Sequence, residues 1–383
     1  MNCSRYPRRP VQSDTRPPTA VTRFRAGRPL LFGAALLLGA ALLGSCAYYL
    51  QAAAGQMQVL RARQPLEQVL ADPVTPAGVR QQLLVVDAAL VFARVELGLP
   101  ASDSYRHYSD LGRPYVVWNV FAAPEFSLEP REWCYPVAGC APYRGWFSEA
   151  RARRFADALA AQGEDVFVGG VTAYSTLGWF ADPVLNTMLN DDETELAAVL
   201  FHELTHQKLY VPGDTLFNEG FATFVEEEGT RRWLVSRKDR AGLCRFNERL
   251  MRRSAVLGIV TELRAELATI YAADLPVAER RQQREAAFSA ARDRYAALRS
   301  TWSDSPWFDG WFDPGLNNAR LAALASYEDY VPAFRALLAE EGGDLPRFYT
   351  RVAALAALPG PERVALLRAA ARVNVAPAGD ICP

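Results

Sequence analysis

Two of the chain's three histidines lie four residues apart, in the segment HELTH at residues 202–206. Residues four apart share one face of an α-helix, so the imidazoles of His202 and His206 are expected to converge on one point. Two imidazoles on one helix make half of a tetrahedral zinc site. Glu203 projects from another part of the helix, where it can reach a water on the metal without binding the metal itself. The pattern predicts that a zinc-bound water attacks a carbonyl carbon, with Glu203 as the general base.

The residues after this motif decide between a catalytic centre and two unrelated histidines on a core or surface helix. A catalytic zinc ion has three protein ligands and one open position. A third histidine six residues after His206 would mark a metzincin, but Pro212 is at that position. Asp214 and Glu219 remain as candidates. We favour Glu219 because it lies more than a turn inside the next predicted helix, whereas Asp214 precedes that helix and suits its N-cap.

Glu219 belongs to the segment NEGFATFVE, residues 218–226. This segment resembles the one that supplies the third zinc ligand in gluzincins related to aminopeptidase N. Twelve residues separate His206 from Glu219, fewer than in that family, so the connecting loop must be tighter. Small residues after Glu219, Gly220 among them, are expected to let the two zinc helices pack closely. Glu226 is a candidate hydrogen-bond partner of a metal ligand.

The chain is still more similar to a family of bacterial predicted aminopeptidases, which are themselves lipoproteins and carry HELTHQ and NExFA at this short spacing. The similarity extends over most of the mature chain and includes three further segments: CYPVAGCAPYRGWF, GGVTAYSTLGWFADP and LNNARLAALASYEDYVPAF. The resemblance implies zinc-dependent hydrolysis of peptides, with His202, His206 and Glu219 as metal ligands.

An aminopeptidase also needs a group that binds the substrate's ammonium and a donor that binds the oxyanion, and the sequence offers several candidates for these roles. The G-x-M-E-N motif, which holds the substrate's ammonium group in aminopeptidase N relatives, is absent, and Asp182 is the nearest acid after the comparable segment. Cleavage of terminal and of internal peptide bonds therefore remain alternatives. The oxyanion needs a hydrogen-bond donor, and we predict Tyr327 for this role. The alternatives are polar side chains elsewhere in the same segments: Tyr174, Arg320 and Tyr330.

The N-terminal 45 residues have the organisation of an export signal. Several arginines precede an apolar run over residues 29–44, which is shorter than the ~20 residues of a membrane-spanning helix. The tetrad Leu43-Gly44-Ser45-Cys46 resembles a lipobox, which implies that residues 1–45 are removed as a signal peptide and that Cys46 is lipidated. An uncleaved signal anchor is the alternative. Ala47 follows the cysteine, and the sorting rule of such lipoproteins then implies the outer membrane.

Export places the mature chain in an oxidising compartment, where disulfides are stable. With the cysteines of the signal region set aside, four remain, which allow three pairings: Cys134, Cys140, Cys244 and Cys382. Cys134 and Cys140 bracket a short loop that contains turn-forming residues. We predict a disulfide between these two and leave the pairing of the others open.

The composition is that of a globular chain with a large core, since half of the 383 residues are hydrophobic and 22% are charged. The formal net charge of −1 gives no footprint for nucleic acid binding. Apolar periodicity and turn residues predict an α+β fold, which the resemblance makes gluzincin-like. We expect a small mixed sheet at about residues 100–190, zinc helices at about 192–235 and a helical lobe at about 240–383.

Two local predictions also bear on the site. Residues 47–70 are predicted to form one helix. Residues 164–183 are predicted to form one or two strands near a sheet edge, where Gly169 and Gly170 let another backbone come close. An edge strand of this kind can bind an extended peptide by adding it to the sheet.

Two functions of different classes fit these residues. The first is a lipid-anchored zinc peptidase, acting on peptides at the periplasmic face of the cell envelope. The second is a non-catalytic, zinc-containing envelope lipoprotein that binds peptides or has a structural role. Glu203 favours the peptidase, because a structural zinc site does not need it.

Overall fold

In the computed structural model, the described residues are 47–100, 102–135, 139–173, 175–176, 180–189, 192–302, 308–312, 315–328 and 330–372, without the side chains of 325–328. The chain forms two compact units, Met1–Leu50 and Gln51–Pro383. Of the first unit only residues 47–50 are described, and they are helical. The predicted signal peptide and the lipidation site at Cys46 therefore lie outside the described residues.

The second unit has a mixed α+β architecture, as predicted. Its strands are β1 (Arg63–Pro65), β2 (His107–Ser109), β3 (Val117–Pro124), β4 (Trp133–Tyr135), β5 (Gly139–Ala141), β6 (Tyr143–Trp146), β7 (Glu164–Val171) and β8 (Val184–Leu185). Its helices are α1 (residues 51–61), α2 (Leu66–Ala71), α3 (Ala77–Val95), α4 (Glu149–Ala160), α5 (Glu193–Lys208), α6 (Thr215–Ser236), α7 (Arg240–Ala272), α8 (Val277–Arg299), α9 (Asp309–Phe312), α10 (Asn318–Glu328), α11 (Val331–Glu340), α12 (Leu345–Ala356) and α13 (Gly360–Ala371).

The helix predicted over residues 47–70 is interrupted. Strand β1 separates α1 from α2, and its Pro65 pairs with His107 of β2. Proline lacks an N–H group and has a fixed φ, so it suits a strand end followed by a helix start. Arg63 of β1 donates from Nη1 to the carbonyl oxygen of Ala181 at 3.1 Å. Tertiary pairing thus overrides the helical pattern in this segment.

Strand β3 is the centre of an antiparallel sheet with the order β6-β3-β7. Alternate residues of β3 pack on opposite sides: Trp118 and Val120 against α4, and Phe121 against Ala319 and Ala323 of α10. Both faces of this strand are therefore covered, which explains why all its residues but Asn119 are apolar. Strand β7 pairs with β3 on one side and is an edge strand of the described sheet, as predicted.

The close approach at Gly170 of β7 is made by a side chain and not by another backbone. A Cβ atom built on Gly170 would lie 2.4 Å from ring atoms of Tyr115. A Cβ atom on Gly169 would lie 3.2 Å from the ring of Phe167. The glycines thus give space to aromatic rings, which differs from the role expected for them.

Helices α5 and α6 pack against each other. A Cβ atom on Gly229 of α6 would lie 2.7 Å from Cδ1 of Leu97 and 3.1 Å from Cδ2 of Phe201 in α5. A Cβ atom on Gly220 would instead lie 3.1 Å from Cβ of Tyr330, which precedes α11. Gly229 therefore sets how closely α6 approaches α5, whereas the sequence had suggested Gly220.

A long helical hairpin is tied to the start of the edge strand. The 33-residue helix α7 and helix α8 enclose a second hydrophobic core. Arg284 of α8 forms an ion pair with Asp165 of β7, and the backbone N–H of Asn318 donates to the same carboxylate at 2.8 Å. No helix among the described residues has the length and apolar character needed to cross a membrane.

The predicted disulfide between Cys134 and Cys140 is present and joins β4 to β5. Cys244 is disulfide-bonded as well. The backbone of the β4–β5 hairpin touches the segment between α5 and α6, because a Cβ atom on Gly139 would lie 2.5 Å from the backbone nitrogen of Gly213. Gly139 and Gly213 both have left-handed φ angles, 78° and 80°, which glycine adopts without strain.

Candidate metal centre

Helix α5 carries the HELTH segment, and its start is fixed by a side-chain cap. Asp192 accepts hydrogen bonds from the backbone N–H groups of Thr194 at 2.8 Å and Glu195 at 3.4 Å. The apolar side of the helix, including Leu200 and Leu204, is buried in the main core. Cap and core together fix how far the helix is rotated about its axis, and therefore which way its two histidines face.

A short connector over residues 209–214 joins α5 to α6 and is held by Asn218. The buried Asn218 side chain accepts from the backbone N–H of Val211 and donates to its carbonyl oxygen, both at 2.8 Å. Asp214 caps α6 by accepting from the N–H of Phe217 at 3.1 Å. Its other oxygen accepts two hydrogen bonds from Arg363, at 2.6 and 2.9 Å. Asp214 is thus fully engaged in the packing of α6.

Glu219, one turn into α6, brings its carboxylate to the two imidazoles. The Nε2 atoms of His202 and His206 lie 3.2 Å apart. Oε2 of Glu219 lies 3.3 Å from Nε2 of His202 and 3.7 Å from Nε2 of His206. The ligand atoms of these three residues all lie within 4.8 Å of one another. The structure therefore brings together the three residues that the sequence selected as ligands.

A second carboxylate lies behind the first histidine. Oε2 of Glu226 is 2.9 Å from Nδ1 of His202. Near the start of α5, Glu195 accepts a hydrogen bond from Arg249 of α7 at 2.6 Å, and Arg249 also donates to Asp192 at 2.7 Å. Burial and the negative charges of Asp192 and Glu226 raise the pKa of Glu195 against the effect of Arg249. Glu226 therefore contacts His202 directly, while the ion pairs of Arg249 join the start of α5 to α7.

The charges in the cluster reinforce one another. Burial by itself lowers the pKa of His202, but the carboxylates of Glu219 and Glu226 outweigh it and raise that pKa well above the ordinary value. Burial by itself raises the pKa of Glu219, but the imidazoles of His206 and His202 outweigh it and lower that pKa to about 2. At neutral pH, Glu219 therefore presents an anionic oxygen to the two imidazoles.

Glu203 is buried beside the cluster, and its Oε2 atom has no hydrogen-bond partner. Burial raises the pKa of this carboxyl, the two imidazoles lower it, and the charges of Glu219 and Asp182 raise it again, with a net rise. A carboxylate with a raised pKa is a better proton acceptor than an ordinary one. Its location and chemistry suit a general base.

A further part of the site has no motif in the sequence. Gln207, next to His206, accepts from Oγ of Ser102 at 2.8 Å and donates to Oγ of Ser104 at 3.2 Å. The N–H of Tyr105 then donates to the carbonyl oxygen of Asp182 at 2.5 Å. Tyr105 has a φ of 65°, which costs ~1 kcal/mol or more outside glycine. The only signal in the sequence is the glutamine that follows HELTH.

Asp182, whose carbonyl oxygen binds Tyr105, is buried, and its carboxylate accepts two hydrogen bonds from Thr176. Its Oδ1 accepts from Oγ1 of Thr176 and its Oδ2 from the N–H of Thr176, both at 2.8 Å. Burial raises the pKa of Asp182, although Thr176 and Arg63 act against the rise. Both carboxylate oxygens are engaged within the protein, so the structure gives no support for Asp182 as the group that holds a substrate's ammonium.

Tyr210, in the connector, lies beside His206. The centroids of the two rings are 6.4 Å apart and their planes are inclined at 75°. Burial and the negative charge of Glu219 raise the pKa of Tyr210, so its hydroxyl keeps its proton at neutral pH. Tyr210 lies inside the segment that carries the two histidines and Glu219, whereas the tyrosines predicted as donors lie outside it.

The residues predicted as oxyanion donors are placed as follows. Tyr327 belongs to the last turn of α10, but its side chain and the whole of Tyr174 lie outside the described residues. Tyr330 is buried in the main core. Arg320 donates to two backbone carbonyls of α9, at 2.9 and 2.7 Å, and is therefore used within the helical lobe.

The donor set fits a zinc ion. Tetrahedral ligand atoms ~2.0–2.2 Å from one zinc ion are ~3.3–3.6 Å from each other. The observed separations of 3.2, 3.3 and 3.7 Å agree with that spacing. Two nitrogens and one carboxylate oxygen leave the fourth position open, as catalytic zinc sites require. The buried, unpartnered oxygen of Glu203 also suits a site that takes up a further molecule.

Comparison with known proteins adds one match. A family model with the description "Putative aminopeptidase" matches residues 47–367. No curated protein and no solved structure matches the chain. The matched range contains α5, the connector and α6, and so includes the whole candidate centre.

Proposed function

The chain belongs to the family described as "Putative aminopeptidase", and on that premise we propose that it is a zinc-dependent peptidase with His202, His206 and Glu219 as the metal ligands. The family description supports a peptidase. The zinc dependence rests on one observation, the convergence of three ligand atoms within 4.8 Å.

Zinc in such a site supplies a Lewis acid that polarises the scissile carbonyl group. Glu203 accepts a proton from the attacking water and delivers it to the leaving amine. The oxygen of Glu203 without a hydrogen-bond partner has lone pairs available for that proton. Glu226 keeps His202 oriented through the 2.9 Å contact with Nδ1. The proposed site thus consists of a general base, Glu203, three metal ligands and one carboxylate, Glu226, that orients a ligand.

We propose further that the substrate is a peptide that adds to the free edge of β7, in a gluzincin-like arrangement. In support, β7 pairs only with β3 in the described sheet. Near its start, the carbonyl oxygen of Val166 accepts from Nδ2 of Asn317 at 2.9 Å, which leaves the later residues of β7 for a peptide backbone. Main-chain hydrogen bonds of this kind bind many sequences.

The proposed location is the periplasmic face of the cell envelope, with the chain anchored by lipid on Cys46. The sequence features in support are the basic stretch, the apolar run over residues 29–44 and the LGSC tetrad. Mass spectrometry of the mature N-terminus tests this. We expect a diacylglyceryl-modified Cys46 as the first residue, and an intact chain that begins upstream of Ser45 would exclude it.

The peptidase itself is tested with the zinc-loaded full chain on a mixture of periplasmic peptides, with new N-termini read by mass spectrometry. We expect cleavage by the wild type and a loss of at least ~10²–10⁴-fold for Glu203→Gln, with zinc content unchanged. Glu193→Gln, in the first turn of the same helix, is the matched control and should cleave normally. A wild type that holds zinc and cleaves nothing would instead favour the non-catalytic envelope lipoprotein.

A further inference from the structure

The oxyanion formed during peptide hydrolysis needs a hydrogen-bond donor near the metal ligands, and the ligand cluster does not provide one. Glu203, Glu219 and Glu226 are carboxylates, which only accept hydrogen bonds when they are ionised. The imidazoles of His202 and His206 direct Nε2 towards the cluster, and these nitrogens carry no proton when they bind a metal. The donor must therefore come from a neighbouring group outside this cluster.

Tyr210 is the described residue whose position fits. Its ring meets the ring of the metal-ligand candidate His206 edge to face, with centroids 6.4 Å apart. The side chain is neither fully buried nor fully exposed, so a substrate can reach it. A phenol is an uncharged donor that can face a cluster already carrying negative charge.

The connector that carries Tyr210 is fixed at two points just after it. Asn218 holds the next residue, Val211, by two hydrogen bonds of 2.8 Å. The disulfide-bonded β4–β5 hairpin contacts the connector at Gly213, where a Cβ atom on Gly139 would come within 2.5 Å of the backbone nitrogen. A donor that acts on a transition state must be held in place beforehand. The connector has this property although it has no regular secondary structure.

We propose that Tyr210 is a catalytic residue, whose hydroxyl donates a hydrogen bond to the carbonyl oxygen of the scissile bond as that oxygen gains negative charge. The inference rests on the proposed peptidase function. It assigns to the connector the role that the sequence argument gave to Tyr327. No covalent bond forms to the tyrosine, and its proton stays on the phenol oxygen throughout.

The test compares zinc-loaded wild type, Tyr210→Phe and Tyr327→Phe, with Tyr295→Phe as control. The control removes a hydroxyl that donates to Asp309 in the helical lobe. For Tyr210→Phe we expect unchanged zinc content, a near-normal KM and a kcat reduced ~10²–10³-fold. Affinity for a phosphinic peptide, which mimics the tetrahedral transition state, should fall by a similar factor, whereas affinity for an uncleaved product peptide should not.

The phosphinic peptide separates failure of this inference from failure of the proposed function, because calorimetric binding needs no turnover. A wild type that cleaves peptides while Tyr210→Phe matches it in kcat and in phosphinic-peptide affinity would overturn the role of Tyr210 alone. Loss confined to Tyr327→Phe would do the same and return the role to α10. If the wild type cleaves nothing but binds the phosphinic peptide, and Tyr210→Phe weakens that binding, the peptidase function is overturned and with it the catalytic role of Tyr210, while its hydrogen bond to the bound oxygen is supported. If the wild type neither cleaves peptides nor binds the phosphinic peptide, both the peptidase function and the role of Tyr210 are overturned.

Discussion

The Nδ1 atom of His202 in α5 lies 2.9 Å from Oε2 of Glu226 in α6, while Nε2 of the same ring lies 3.3 Å from Glu219. A carboxylate at Nδ1 makes that nitrogen the donor, and this leaves the lone pair of Nε2 for a metal ion. Glu219 and Glu226 are two turns apart on one helix. Helix α6 thus supplies both a proposed metal ligand and the hydrogen-bond partner of another proposed ligand on α5.

We therefore predict that Glu226→Gln weakens zinc binding by ~10–100-fold, the usual effect of losing such a partner. Glutamine has nearly the same shape, so packing is kept while the negative charge is lost. Competition with a chromophoric chelator measures the dissociation constant. Glu96→Gln, an exposed change just after α3, should leave that constant unchanged. Equal affinities of Glu226→Gln and wild type would show that the contact does not tune the metal.

The third ligand is tested by metal content after dialysis of Glu219→Ala and Asp214→Ala. We expect Glu219→Ala to lose zinc, because one of three protein ligands is removed. Asp214→Ala should keep one zinc per chain but unfold more easily, by ~3 kcal/mol, because it loses an N-cap and leaves buried Arg363 without its carboxylate. Asp239→Ala removes only a cap, that of α7, and should cost ~1 kcal/mol. If Asp214→Ala lost zinc and Glu219→Ala kept it, Asp214 and not Glu219 would be the third ligand.

Another carboxylate of α6 should give a pH-dependent contribution to stability. Burial raises the pKa of Glu228, but hydrogen bonds from Arg231 at 2.7 Å and Arg232 at 2.6 Å outweigh it, and the pKa is lowered. A carboxyl whose pKa is depressed in the folded state adds stability above its unfolded pKa of ~4.3. That stability is lost as the pH falls through the folded value.

Glu228→Gln should consequently be less stable than wild type at neutral pH, with a difference that shrinks in acid. Urea unfolding at pH 7 and at about pH 3 measures the two differences. Glu262→Gln, which changes an exposed carboxylate on α7, serves as the control and should show little difference at either pH. A Glu228→Gln deficit that is the same at both pH values would contradict the assigned pKa shift.

The cluster of His202, His206 and Glu219 was the most predictable part of the molecule, because the placement of its residues depends on short-range helix geometry. The shared helix face of His202 and His206 and the N-cap at Asp214 follow from local rules. The N-cap fixes where α6 begins, and therefore where Glu219 lies on it. The Cys134–Cys140 disulfide was predictable for the same reason. The lobe predicted after residue 240 is likewise helical, since its periodicity is long and regular.

The features that the sequence did not reveal depend on contacts between distant segments. Strand β1 replaced part of a predicted helix because it pairs with β2, and no local pattern encodes that partner. The location of Tyr210 beside His206 depends on how the connector folds back. The hydrogen bonds of Gln207 with Ser102 and Ser104 join residues more than 100 positions apart in the sequence. Such contacts are set by the packing of the whole chain and not by propensity.

Gly229 of α6 limits how closely α6 approaches α5. An added methyl group there would lie 2.7 Å from Leu97 and 3.1 Å from Phe201, so α6 must move away from α5 or the neighbours must leave their rotamers. Overpacking of this kind costs ~1–3 kcal/mol, which exceeds the ~0.5–1 kcal/mol that alanine gains in a helix. Gly229→Ala should therefore be destabilised in urea unfolding. It should also bind zinc more weakly, because the helix separation sets the distances between Glu219 and the histidines.

Gly258 in α7 is the matched control, since a Cβ atom there would meet nothing within 4 Å. Gly258→Ala makes the same change inside a helix without a clash, and it should stabilise the chain by ~0.4–1 kcal/mol and leave zinc affinity unchanged. The two variants are compared by urea midpoints and by chelator competition. If Gly229→Ala were as stable as Gly258→Ala, the contact with Phe201 would not limit the approach of α6 to α5. If Gly229→Ala were destabilised but bound zinc normally, the cluster would tolerate a change in helix separation.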